Sequence, residues 1–549
     1  MTNDKRIKKK NFIMQNAPVS IGAILLLLLE IIRRIWTTNL VSDVGNAVYA
    51  TVIEFYFVIY SILGIGIPCI IEKLVSNRIS KGQYKNSERL LYSGFLFAGL
   101  FGIVSMVCYF AMLPYMIEKI MLFSYAKLAI FCMLPAILFS GFAGCIEGYL
   151  LGLNKKSPVA ISYVVKGVSF LLFSIISISL LSGHGAKIGS FLLNDNYKYY
   201  YGVAGVFIGL TISTIFQLLF LSFVAFMLKR AMYSQISHDP TRIFEHFKEQ
   251  IAFILRGMGC FVSLALFDAV LTLVFQGIFY RTFMEQSGIY ICNLYYGVFY
   301  GKYKFIVYSV IAFAMISFPY VQNFLRFHYK KEDYYQVRQK IGQHTKFCVI
   351  FVMPLITSLL SLSKPISGLL FYGEINMLSK MLVLGSVTIL FLIVALNYRN
   401  SLIAMGKEKL VWLYTIIVSI IQIIAVIISF SFTDAHIYGI VYGMLGASVL
   451  LCIIFMFTLS RIVNYRQELF KTFLFPIASS LIAGGIGYML FQLFSSLVTT
   501  ELACIISCIV EWILFYLVVI AFGSLKKEDL TMFPFSGILI SFGTLIRRI

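Results

Sequence analysis

The sequence predicts an all-α, polytopic membrane protein with 14 transmembrane helices, arranged as two parallel six-helix lobes plus two C-terminal helices. Three observations predict it. The 549 residues are 60% hydrophobic and only 13% charged, too little polar surface for a soluble core of that size. Runs of about 20 apolar residues, enough to cross roughly 30 Å of hydrocarbon, recur along the whole length. Pieces of sequence also recur in the same order in the two halves, the signature of a duplicated unit.

The first run, 13–36, follows the basic stretch KRIKKK with no small-residue cleavage site, so it reads as a retained helix and not as a signal peptide. The second, 50–71, contains Glu54 and the glycine- and proline-bearing GIGIP. The third to sixth are 90–113, 128–152, 159–182 and 202–228, with only a short polar turn between the middle two. The seventh, 250–277, carries Arg256 and Asp268, and the eighth is 303–325. Spans at 347–362, 381–398, 410–432 and 438–460 complete the second six, and 473–495 with 502–523 form the last pair. The stretches 37–49 and 278–302 fall between spans and read as outer connections. The chain thus divides into an N-lobe (1–235), a C-lobe (236–465), an extra helix pair (466–525) and a cytoplasmic tail (526–549).

Charge orients the spans. Most of the 45 Lys and Arg residues lie in alternate connections beginning with the N-terminus, which places both termini in the cytoplasm and the protein in the cytoplasmic membrane. The net charge of +21 follows from that topology and from attraction to anionic membrane lipids. Basic residues dispersed over many short loops do not build a nucleic-acid surface. The ten cysteines are scattered, with Cys504 and Cys508 one helical turn apart, and form no metal or disulfide framework. The six histidines fall in loops or at helix ends, which argues against a membrane-embedded acyltransferase or metalloprotease. No nucleotide-binding Gly-rich loop is present, so neither a catalytic residue, a metal nor a cofactor is expected.

The repeat rests on three matches. GIGIPCIIEKLVSNRISKGQY (64–84) aligns with AMISFPYVQNFLRFHYKKEDYY (314–335), bringing Pro68 onto Pro319 and Tyr84 onto Tyr335. YLLGLNKKSPVA (149–160) aligns with SLIAMGKEKLVW (401–412), and YGVAGVFIG (201–209) with YGIVYGMLG (438–446). Six spans separate equivalent positions, so the lobes share one orientation, the layout of an alternating-access transporter with its cavity at the midplane. A duplicated scaffold without transport is the competing reading. The Gly205–Gly209 and Gly439–Gly443 spacings read as close helix packing.

Charges inside spans are costly and mark sites. Glu30 stands three and four residues before Arg33 and Arg34, so internal pairing is available. Guanidinium forks at Arg33 and Arg34 suit a pyrophosphate, although long side chains there also snorkel to the outer interface. Arg256 reads either as a head-group ligand or as an inner-interface anchor, and Asp268 and Glu54 are candidates for a coupling ion. Glu511, beside Trp512, has no evident partner. Glu147 and Lys166 are equidistant from the turn NKKSP at 154–158, which puts both roughly 14 Å from it and predicts an intramembrane ion pair. That pair reads as a lock between two helices or as a contact for substrate or proton.

RRIWTTNLVSDVGNAVYA (33–50), GIPCIIEKLVS (66–76), EGYLLGLNKKSPVAIS (147–162) and LKKEDLTMFP (525–534) together resemble stage V sporulation protein B-type polysaccharide transporters. These belong, with lipid II flippases, to the multidrug/oligosaccharidyl-lipid/polysaccharide (MOP) exporter superfamily. The resemblance implies a 14-helix flippase, not an enzyme. Its partner would be a lipid-linked sugar pyrophosphate of the undecaprenyl type, an oligosaccharide or peptidoglycan precursor, with H+ or Na+ as coupling cation. Arg34 matches the family's first-helix arginine. The chain departs from the family pattern at Glu147, where Arg is usual, at Lys166, where Glu is usual, and at Phe170, where Arg is usual. Two alternatives stand beside the flippase: a cation-coupled multidrug exporter of the same superfamily, and a non-transporting scaffold for wall synthesis.

Overall fold

The computed structural model describes residues 17–115, 126–231, 244–432 and 436–525. The basic N-terminal stretch and the tail 526–549 lie outside the described residues. Everything regular among the described residues is helical. In chain order the helices are α1 (Ala17–Tyr60), α2 (Ile67–Ser80), α3 (Tyr84–Tyr115), α4 (Lys127–Gly152), α5 (Lys156–Leu192), α6 (Tyr197–Ala231) and α7 (Phe247–Val298). They continue with α8 (Phe305–Met315), α9 (Phe318–Lys330), α10 (Tyr334–Ser361), α11 (Ser363–Leu370) and α12 (Ile375–Ala404). The last are α13 (Glu408–Phe432), α14 (Tyr438–Val463), α15 (Phe475–Ser495) and α16 (Thr500–Ala521). Short π-helical turns at Ser61–Gly66, Phe299–Lys304 and Phe470–Leu474 lead into α2, α8 and α15.

Twelve helical segments among the described residues are long and apolar enough to cross a membrane, and the chain is a multi-pass membrane protein. Two of the twelve are far longer than one crossing needs: Pro18–Ser80 has 63 residues and Val262–Met315 has 54. Each contains a break, at Ser42 (φ 59°, ψ 174°) in α1 and at Gly288 (φ 77°, ψ 157°) in α7. The stretches expected as outer connections, 37–49 and 278–302, are therefore helical except at those residues. Asp43 and Asn46 in the first stretch are buried, so the polarity that suggests a loop is satisfied inside the protein.

The repeated sequences fold into repeated turns. After α2 the amides of Gly82 and Gln83 bond back to Ile79 and Arg78, and after α9 those of Glu332 and Asp333 bond back to Tyr329 and His328. The α4–α5 turn closes with Asn154 on Leu151 and Lys155 on Leu150, the α12–α13 turn with Gly406 on Ile403 and Lys407 on Leu402. All four are left-handed helix caps in which two late carbonyls recover their donors. Pro68 and Pro319 both occupy the first turn of their helix, where no amide hydrogen is needed.

The described residues form two compact units, 21–302 and a second that takes in 303 onward with the residues up to Ser20. In the first, the α5–α6 hairpin packs on α4, and α4 packs on α2 and α3. Gly205 and Gly209 bring α6 against α5 so closely that a Cβ would meet Ser177 at 2.7 Å and Ser174 at 2.5 Å. Gly443 does the same against Val426 of α13 in the second unit. α7, assigned to the C-lobe by the repeat, packs in the first unit with α2 and α3.

Candidate functional site

The site is built on the break in α1. Ser42 breaks the helix with a positive φ of 59°, and Asn46 bonds two carbonyls at the break: its Nδ2 donates to Thr38 O (3.1 Å) and Ser42 O (2.8 Å). α7 approaches this break through glycine. A Cβ on Gly297 would lie 1.8 Å from the Asp43 carbonyl oxygen, and one on Gly301 would lie 2.8 Å from Asn46 Cβ. That approach carries Lys302 to Asp43, with Nζ 2.6 Å from Oδ1 and the lysine only 1% exposed. Glu54, one further stretch along α1, accepts from the Tyr300 hydroxyl at 2.6 Å. Gln276 donates to Thr51, and Tyr280 donates to Asn293 at 2.7 Å.

The two arginines of α1 belong to the same unit and are both buried rather than turned to an interface. Arg33 bonds Glu30 through Nε (2.9 Å) and Nη2 (2.7 Å), and its guanidinium lies 3.9 Å above the Phe170 ring. Phe170, one of the departures from the family pattern, thus serves as the apolar face on which Arg33 rests. Arg34 lies 3.8 Å above Tyr49. Arg34 is 4% exposed, and neither of its terminal nitrogens has a hydrogen-bond partner among the described residues. A buried charged donor left unpaired costs upward of ~1–3 kcal/mol, a cost that an anion or polar group beside it would offset.

The remaining candidates are distributed differently. Arg256 and Asp268 are exposed on α7 and Glu30 is half-buried, whereas Glu54 is buried. The expected ion pair between Glu147 and Lys166 is not formed: no contact within ion-pairing distance joins them. Glu147 instead accepts from the Tyr163 hydroxyl, and the Lys166 ammonium stands 5.4 Å above the Tyr60 ring. Equal depth in a hairpin does not fix the direction of two side chains around their helices, and Tyr163 of α5 and Tyr60 of α1 are the groups that meet the two charges. His344 is a second correction. It lies buried within the spanning helix α10, bonded to Ser317 (2.9 Å) and Asn397 (2.8 Å), and not in a loop or at a helix end. Glu511 is fully buried and accepts from Ser361 Oγ at 3.2 Å.

No family model matches the chain. One curated relative, stage V sporulation protein B of Bacillus subtilis (strain 168), is 18% identical over 205 residues, which span 37% of this chain and 37% of that protein. Solved structures match far more of it. An inward-facing multidrug resistance MATE family transporter of the MOP superfamily superposes with a TM-score of 0.63 at 15% identity, covering 80% of this chain and 98% of that one. The chain shares the fold of this solved transporter.

An outward-facing MATE transporter of the MOP superfamily gives a TM-score of 0.57 at 14% identity over 82% of this chain and 95% of that one. A MOP superfamily transporter from Pyrococcus furiosus Vc1, described as having a binding pocket of reverse polarity, gives 0.57 at 13% identity, with the same two coverages. Within this fold, the expected residues Arg33, Arg34, Glu30 and Glu54 lie on α1, and Asp43, Asn46, Lys302 and Tyr300, which pack around the break, were not singled out from the sequence. The signal for Lys302 was present in YYGVFYGKYKF: two glycines four apart in an aromatic run mark a helix approached closely by another, not a loop.

Proposed function

We propose that this MOP-fold protein moves an anionic, lipid-linked sugar of the undecaprenyl-pyrophosphate type across the cytoplasmic membrane. The observation that carries this reading is Arg34, a buried guanidinium whose terminal nitrogens lack partners among the described residues. Arg33 and Lys302 already hold carboxylates, at Glu30 and Asp43, so Arg34 is the cation in this group left to take phosphate oxygens. The tyrosines around it supply phenolic donors and flat surfaces for a sugar. In this reading the breaks at Ser42 and Gly288 each separate two crossings, which makes 14 spanning helices of the 12 long segments. Transport breaks no bond. Direction comes from the membrane potential or a cation gradient, sensed at Glu54 through its bond to Tyr300 or at Asp268.

The test is depletion of the protein followed by identification of the lipid-linked sugar that accumulates on the inner leaflet. Accumulation of a pyrophosphate-linked species supports the reading, and unchanged levels of every such species contradict it. The likeness to MATE structures supports a second reading, cation-coupled export of small amphiphiles. Efflux of a fluorescent cationic dye that stops on depletion would favour that reading instead.

A further inference from the structure

The unit that begins at Tyr303 contains a cavity of about 430 Å³ at the start of α10 and the end of α14. This is the face that the charge asymmetry assigns to the cytoplasm. Arg338, Lys346 and Arg466 line it, opposed by Glu468 as the one carboxylate among its lining residues. Lys346 is buried on α10, and Arg338 is fixed there by donating from Nη1 to the Val463 carbonyl at 3.3 Å. The floor is the Gln467 amide. Its oxygen accepts from Tyr398 (3.0 Å) and Tyr465, and its nitrogen donates to Thr472 (2.8 Å), so the connection from α14 to α15 is held in one shape. Burial holds the Tyr465 phenol well above its ordinary value, so it stays neutral and adds no negative charge.

The repeat provides a control inside the same molecule. Tyr84 aligns with Tyr335, so α3 corresponds to α10. At that corner of the first unit the described residues tie a cation to a carboxylate. Arg78 pairs with Glu245 at 3.1 Å, Gln250 donates to Glu245 and to the Asn86 carbonyl, and Ser93 donates to Gln250 at 2.6 Å. The second unit has the same backbone turn, and there three cations and one carboxylate line the cavity.

We propose that this cavity binds a phosphate group, carried either by an anionic phospholipid of the inner leaflet or by a small soluble phosphate ester. Three cations against one carboxylate give the lining a formal charge of +2, and two of the three are guanidiniums that can fork onto phosphate oxygens. The site belongs to the second unit and is distinct from the Arg34 site, so it stands or falls independently of the transport reading.

The experiment is native mass spectrometry of the purified full-length chain, titrated separately with dioleoyl phosphatidylglycerol, dioleoyl phosphatidylcholine and glycerol 1-phosphate. The variants are Arg466→Gln and Glu468→Gln, both exposed side chains whose loss leaves packing intact. The expected result is tighter binding of phosphatidylglycerol than of phosphatidylcholine, weakened about tenfold by Arg466→Gln and strengthened by Glu468→Gln. The same pattern with glycerol 1-phosphate alone assigns the site to a soluble ester. Binding of neither phosphate compound, or binding unchanged by both substitutions, overturns the proposal.

Discussion

Lys302 and Asp43 meet at 2.6 Å in the interior of the first unit, one from the π-helical turn that follows α7 and the other from the break in α1. The pair ties the break to the helix that packs against it. Two buried charges offset each other's desolvation only while both are present. Lys302→Met or Asp43→Leu alone is expected to lower stability by about 3–5 kcal/mol, and the double substitution by much less. Thermal unfolding of the purified protein checks this, and a double variant as unstable as the sum of the singles would refute the coupling.

The approach of α7 to α1 depends on Gly297 in particular. Gly297→Ala puts a methyl carbon 1.8 Å from the Asp43 carbonyl, and backbone cannot yield as a flexible side chain would. Gly277→Ala, on the same helix, meets nothing within 4 Å. The first is expected to reduce folded protein severely, the second to be neutral or to stabilise by up to ~1 kcal/mol through helix propensity. Yield and melting temperature of the two variants, side by side, decide it.

Tyr163 and Tyr60 stand where a direct ion pair was expected. Tyr163→Phe removes the donor to the half-buried Glu147 carboxylate and is expected to cost about 1–3 kcal/mol. Lys166→Met keeps the chain length and loses only a distant cation–aromatic contact, so it is expected to cost under ~1 kcal/mol. The reverse order in a denaturation series would restore the direct pair.

His344 is buried between Ser317 and Asn397, and Asn397 also donates to Thr345 at 2.7 Å. His344→Gln, which keeps one donor and one acceptor, is expected to retain most of the stability that His344→Leu loses. Leucine would leave the Ser317 and Asn397 groups unpaired at about 1–3 kcal/mol in total. Equal melting temperatures for the two variants would mean that this network contributes nothing.

Much of the architecture was legible because hydropathy and turn chemistry are local. The LGLNKKSP stretch predicts a turn that the structure repeats in both halves, the apolar runs mark the spanning helices, and GIGIP stays helical as a π-helical turn entering α2. What was not legible depends on partners distant in sequence. Ser42 breaks α1 with neither proline nor glycine at the break, and its carbonyls are recovered by Asn46, which reads in sequence as a loop residue. Lys302 looks like an outer-loop cation until Gly297 and Gly301 bring α1 beside it. Glu147 and Lys166 share a depth, but the tyrosines that meet them could not be chosen from spacing alone.

The Arg34 guanidinium is the centre of the account, and its most direct test is binding. Undecaprenyl pyrophosphate, titrated by native mass spectrometry against the full-length protein and its Arg34→Gln variant in matched detergent, reads the interaction itself. The account predicts at least a tenfold loss of affinity in the variant, with unchanged melting temperature, from losing one charge-assisted fork of about 1.5–3 kcal/mol. Equal affinity of the two proteins for the pyrophosphate would contradict it.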